Sequence, residues 1–289
     1  MSGSTKLVGM VQFLGFPHDP DGPGRIADTL DAASKDAEVL LEAGFRTLMV
    51  QNLANRSPWR RETVEEVAAM SALLGRLTQR YPEAEWGLNL PSDDPEASIA
   101  IAHATGAAFV RLKVWIGVMR RAEGTLDGCA NAALAYRQRL GAGNVTIWAD
   151  VHDRTGTPVW PILWRDGVLE ARKAGATTLV VTGSDPAATV TMLDEARELA
   201  PDVGLVVGGG ATPETIGAFM PSASAVIVGT YLHRDGDERL PVDPARARRI
   251  LAAASTNESP TRDRHDLRWE GAPISNAIDR ARAGFRAMT

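Results

Sequence analysis

Short apolar runs that stop abruptly at polar residues or glycine alternate along the chain with stretches in which apolar side chains return every three or four positions. The runs cover 7–13, 45–50, 86–90, 108–114, 145–150 and 177–181, and two more, Val206-Val207 and Ala225-Val226-Ile227-Val228, end in Gly208 and Gly229. Helical spacing fills the intervals. Ala32, Ala33, Ala37, Leu40 and Leu41 form one apolar stripe stopped by Gly44, and further helical stretches span 62–80, 129–140 and 165–174. Asp94-Pro95, Asp185-Pro186 and Asp243-Pro244 each read as a helix N-cap followed by a first helical residue whose missing N–H costs nothing.

Eight apolar strands, each followed by a helical segment, call for a parallel sheet with helices outside. Eight units close into a single (β/α)8 TIM barrel, expected over 1–254. An open doubly wound sheet would carry its glycine fingerprint after the first strand, whereas here the glycines follow the last two. From Ser255 the chain turns polar through Asn257, Glu258, Arg262, Asp263, Arg264 and His265, and helical spacing resumes over 274–288. The span 255–289 therefore reads as a polar linker and C-terminal helical extension, available to pack on the barrel or on a second subunit of a homo-oligomer.

With 289 residues, 44% hydrophobic and 23% charged, the chain has the make-up of an ordinary globular protein with a large core. A net charge of −5 argues against nucleic acid or an anionic membrane as partner. The lone Cys129 excludes a disulfide framework and points to a reducing cytoplasm. The start, Met1-Ser2-Gly3-Ser4-Thr5-Lys6, lacks the apolar core of a signal peptide, and no run reaches membrane-spanning length.

In a barrel of this kind chemistry gathers at the C-terminal ends of the strands. The glycines of Gly208-Gly209-Gly210, followed by Thr212-Pro213 as cap and first helical residue, make a side-chain-free turn able to offer N–H groups and a helix N-terminus to a phosphate. Gly229 and Thr230 end the neighbouring strand and add to the same phosphate site. Asp150, ending an apolar strand, is the expected acid/base residue, with a structural acceptor role as its alternative. Strand alternation places His152 on the same face as a proton carrier, or else it anchors a loop. Lys113 supplies a third catalytic group by pairing with an anionic substrate or developing charge, with a Schiff-base nucleophile as its alternative, and Arg111, on its side, is able to pair with Asp150 instead. Gln12, Gln51, Asn52, Asn89, Arg111, Arg154, Thr182 and Gly183 complete the expected substrate-binding set.

Asp93-Asp94 reads as a cap rather than a cation site, and no HxH, HExxH or Cys/His cluster marks a metal centre. A P-loop is absent from the sequence. No cofactor is expected, and the expected partner is a phosphorylated small molecule. Trp115, Trp148, Trp160 and Trp164 crowd the fourth and fifth units, as a stacking wall for a planar ligand or as core.

These strand ends resemble the BtpA/SgcQ family of TIM-barrel proteins. The resemblance, over about 6–251, rests on Val8-Gly9-Met10-Val11 with Pro17 and Pro20, Gln51-Asn52, Phe109-Val110-Arg111, Asp150-Val151-His152, Val181-Thr182-Gly183, Gly209-Gly210-Ala211-Thr212, and Ile227-Val228-Gly229-Thr230 with Asp235-Gly236. It implies a barrel related to the phosphate binders of the tryptophan, histidine and thiamine pathways. It links some members to photosystem I biogenesis and others to sugar or nucleotide metabolism. This chain departs from the pattern. Gln12 stands where the family has His, Gln51 where it has Glu, Asn55 where it has Asp, and Arg154-Thr155 where it has Lys-His, which removes proton-transfer and metal-binding capacity from the mouth. The expected activity is acid/base isomerase, lyase or glycosidic-bond chemistry on a phosphorylated sugar or nucleotide-like compound, in a biosynthetic setting. The alternative is a non-catalytic assembly or regulatory factor.

Overall fold

A computed structural model describes residues 5–19, 22–54, 61–121, 124–152 and 155–256. Pro20, Asn55, Arg154 and nearly all of the expected extension over 255–289 lie outside the described residues.

In chain order the barrel is built from β1 (Lys6–Phe13), α1 (Ile26–Ala43), β2 (Thr47–Asn52), α2 (Val64–Arg80), β3 (Glu85–Asn89), α3 (Pro95–Thr105) and β4 (Phe109–Leu112). An inserted hairpin follows, β5 (Val118–Arg121) and β6 (Gly124–Asp127), then α4 (Ala130–Leu140), β7 (Thr146–Asp150), the short β8 (Thr157–Pro158) and α5 (Trp164–Lys173). The last units are β9 (Thr178–Val181), α6 (Pro186–Leu199), β10 (Gly204–Val207), α7 (Ile216–Phe219), β11 (Ala225–Val228) and α8 (Pro244–Ser255). Eight strands close in the order β1-β11-β10-β9-β7-β4-β3-β2, parallel throughout, so the chain is a TIM barrel.

The helix boundaries follow their capping chemistry. Asp94 accepts from the N–H groups of Glu96 and Ala97, Asp185 from Ala188, and Asp243 from Ala245 and Arg246, each just before a proline. Gly44, Gly106 and Gly141 take the left-handed conformation that ends α1, α3 and α4.

Alternation along the strands sorts side chains into two cores. Val8, Met10, Met49, Phe109, Trp148, Val180, Val206, Ala225 and Ile227 fill the barrel interior, while residues such as Val11, Val50, Leu88 and Val207 pack against the helices. Phe109 and Trp148 stack with ring centroids 3.8 Å apart, and Gly87 makes room, since a Cβ there would meet the Phe109 ring at 2.2 Å.

The chain departs from expectation in two places. The irregular stretch around Gly117 and Gly124 folds as a three-stranded antiparallel sheet, in the order β6-β5-β8, outside the barrel. Strands of four and two residues are too short to show an alternation. The helix expected from Thr212-Pro213 starts only at Ile216 and spans four residues, although the Thr212 carbonyl accepts from Thr215 and Ile216. A single turn carries little macrodipole, so that part of the anion-site expectation is withdrawn.

Candidate active site

The register of β1 to β4 sets Gln12 beside Gln51, Gln51 beside Asn89, and Asn89 beside Arg111. One polar side chain from each strand thus stands at one level of the mouth, directly above the apolar layer of Met10, Met49 and Phe109. Asn89 Nδ2 donates to Gln51 Oε1 at 2.5 Å. Gln12 Oε1, Asn89 Oδ1 and, from the end of β9, Thr182 Oγ1 are buried without a partner among the described residues. Each such atom costs about 1–3 kcal/mol unless a hydrogen bond offsets its desolvation. Acceptors held this way suit the hydroxyl donors of a bound ligand.

Arg111 completes the row and reaches across it. Its Nε lies 2.8 Å from Asp150 Oδ1 and its Nη2 2.7 Å from Asp150 Oδ2, with Asp150 almost wholly buried. The third nitrogen, Nη1, donates to the Gly208 carbonyl at 3.3 Å. Glycine is required there: a Cβ on Gly208 would sit 2.4 Å from Thr182 Oγ1 and 2.9 Å from Arg111 Nη2. Gly208 spends its own N–H on the Val181 carbonyl. The N–H groups of Gly209 and Gly210 have no acceptor among the described residues, so an anion placed at this turn meets free donors beside a guanidinium.

The second half of the expected phosphate site is different. Thr230 Oγ1 donates to Glu238 Oε1 at 2.8 Å, and a Cβ on Gly229 would lie 3.0 Å from that same oxygen. A carboxylate beside Gly229 and Thr230 repels a second anion. N–H groups without an acceptor among the described residues are left at Gly209 and Gly210, beside Arg111. Glu238 sits in the polar stretch 235–238, where nothing in the sequence distinguishes it from loop surface.

Lys113 and His152 do not join Arg111 and Asp150 by alternation, because β4 ends at Leu112 and β7 at Asp150. Both line a side cavity of about 300 Å³ together with Val114, Met119 and Trp160. The His152 ring packs at 5.7 Å against Trp164 of α5, and burial holds its pKa below the ordinary value, favouring the neutral imidazole.

Two further expected substrate contacts point elsewhere. Asn52, fully buried, follows Gln51 and therefore faces the helices, where its Nδ2 donates to Glu66 and its Oδ1 accepts from Ala54. Gly183 gives its N–H to Thr189 Oγ1, which belongs to α6. Asp93 accepts from the N–H groups of Lys113 and Val114 and, with Asp94 as cap, serves the loop rather than a cation. The four tryptophans form no common wall. Trp115 is core, Trp148 lies inside the barrel, and Trp160 is 70% exposed near Trp164 in sequence.

A profile of the BtpA family matches residues 4–256. An uncharacterised protein of Pyrococcus abyssi is 31% identical over 252 residues, which is 86% of this chain and 95% of the relative. The photosystem I biogenesis protein BtpA of Synechocystis sp. is 28% identical over 256 residues, 86% of this chain and 88% of its own. Among solved structures, 3-hexulose-6-phosphate synthase from Salmonella typhimurium aligns with a TM-score of 0.56 at 14% identity, covering 88% of this chain and all of that one. Thiamine phosphate pyrophosphorylase from Pyrococcus furiosus aligns at 0.52 and 16%, covering 88% and 97%. At such identities these two share the barrel fold alone. Among the described residues no helix is long and apolar enough to cross a membrane.

Proposed function

The chain belongs to the BtpA family, and on that premise we propose that it is an enzyme acting by acid/base chemistry on a phosphorylated, hydroxyl-rich small molecule, a sugar phosphate or nucleotide-like compound. The observation that carries this is the three-way contact of Arg111 with Asp150 and Gly208. It puts one cation between the carboxylate at the end of β7 and the free N–H groups after β10. A phosphate at Gly209 and Gly210 competes for Arg111, and each bond the guanidinium turns toward it loosens the grip on Asp150. Substrate binding and release of the base are thereby coupled. Gln12, Asn89 and Thr182 then supply acceptors for the hydroxyl groups, and the neutral imidazole of His152 stands by in the adjoining cavity.

Isomerisation, aldol-type cleavage and glycosidic-bond chemistry all need such a proton acceptor near a phosphate anchor. The two fold neighbours act, by their names, on phosphorylated compounds, in keeping with the proposal although sequence identity is low. A thermal-shift screen of sugar phosphates and nucleotides tests the ligand class. A second reading, a non-catalytic assembly factor, is favoured by the name of the Synechocystis relative. It predicts a chain that binds partners and turns over none of the compounds that stabilise it.

A further inference from the structure

His18 and Asp19, in the loop after β1, stand beside Glu66 in the first turn of α2, at the same end of the barrel as the mouth but outside its wall. One ligating atom from each of the three lies within 4.8 Å of the others, and His18 Nε2 is 3.3 Å from Glu66 Oε2.

Glu66 is 3% exposed, yet no Lys or Arg pairs with it among the described residues. The Asp19 carboxylate lies within 4.8 Å of its own. A carboxylate buried among like charges is costly without a cation. Its geometry is nonetheless fixed, because the buried Asn52 donates to both of its oxygens. That arrangement is the outer-shell support a metal-ligating carboxylate requires. The other two groups are also held. The His18 ring packs on Phe16 at 5.6 Å, and Asp19 Oδ2 accepts from the Phe16 N–H, leaving its other oxygen unbound among the described residues. Gly22 closes the loop through its N–H to the Asp19 carbonyl, in a space where any Cβ would strike the Phe16 carbonyl oxygen. The His18 side chain is 31% exposed, so the cluster is open to solvent on one side.

We infer that His18, Asp19 and Glu66 bind a first-row divalent cation of the Mn²⁺ or Zn²⁺ type, with Asn52 orienting Glu66 and the remaining coordination positions open to water or ligand. One imidazole and two carboxylates are borderline-to-hard donors, which suit Mn²⁺, Fe²⁺, Co²⁺ and Zn²⁺. The imidazole disfavours Ca²⁺ and Mg²⁺, which take oxygen ligands. The site is independent of the phosphate proposal, since none of its residues belongs to the polar row of the mouth.

The test uses the full chain, stripped of metal with a chelator and titrated with MnCl2 while the resonance of free Mn²⁺ is followed, and then with ZnCl2 in competition. The expected result is one Mn²⁺ per chain, displaced by Zn²⁺. Affinity should fall at least about tenfold in His18→Ala and in Glu66→Gln, and by a comparable factor in Asn52→Ala. His18 lies on a partly exposed loop, so His18→Ala keeps the fold and decides the matter even where Glu66→Gln does not fold. Absence of Mn²⁺ and Zn²⁺ binding, or unchanged affinity in His18→Ala, overturns the inference.

Discussion

Arg111 and Asp150 meet through two parallel hydrogen bonds, at 2.8 and 2.7 Å, inside the mouth of the barrel, where Asp150 is 2% exposed. A pair this enclosed is held by geometry, and removing one member takes two charge-assisted hydrogen bonds from the other. Arg111→Met should destabilise the protein by about 1–3 kcal/mol in urea denaturation. The double variant Arg111→Met with Asp150→Asn should recover most of that loss, because the carboxylate charge that the guanidinium faced is removed with it. Equal stability of the single and double variants would show that the pair is not desolvated.

Glu238 stands where the second set of phosphate contacts was expected, accepting from Thr230 beside Gly229. Glu238→Gln keeps an acceptor for the threonine and removes the charge. Affinity for a phosphorylated ligand should rise several-fold by calorimetric titration, with a smaller gain at high salt. No change would place the phosphate away from β11.

Asp93 carries the clearest pH signature. Complete burial, only partly offset by the N–H groups of Lys113 and Val114, pushes its pKa from 3.8 up to about 6. Between those values the folded protein holds a proton that the unfolded chain has lost. The contribution of Asp93 to stability is therefore greatest at low pH and declines as pH rises through this window, by up to about 3 kcal/mol. Asp93→Asn should abolish that decline. Asparagine also tolerates the left-handed backbone at this position, φ 64°. Chemical denaturation of both proteins at steps from about pH 4 to 6.5 checks it; parallel curves would contradict it.

Gly87 tests the interior packing. A methyl group there overlaps the Phe109 ring, which stacks on Trp148. Gly87→Ala should cost about 1–3 kcal/mol, visible as a lower melting temperature together with a changed tryptophan emission, and Gly24→Ala, where a Cβ meets nothing within 4 Å, serves as control.

Apolar runs and caps such as Asp94-Pro95 made the barrel legible in the sequence, because burial on both faces of a parallel strand and capping are local demands. The polar row was legible as a set of strand ends, and Gln12, Gln51, Asn89 and Arg111 do share one level. Alternation itself turns Asn52, the residue after Gln51 in β2, outward to Glu66, and it failed only past the strand end, where His152, two beyond Asp150, turns to Trp164. Glu66 was hidden for another reason. Thr63 caps α2 by accepting from the Glu66 N–H, a Thr-x-x-Glu spacing that reads as helix start and nothing more. Its closeness to His18 depends on β1 lying beside β2, a tertiary fact that no local pattern carries.

The most direct measurement of the central claim is a thermal-shift series pairing orthophosphate and several pentose and hexose phosphates with their unphosphorylated parents, run on the wild-type chain and on Gly209→Asp. At least one phosphorylated compound should raise the melting temperature by about 3 °C or more, its parent sugar should not, and the aspartate at the glycine turn should abolish the shift. If no phosphorylated compound, orthophosphate included, stabilises the wild type more than Gly209→Asp, the mouth of this barrel is not a phosphate site.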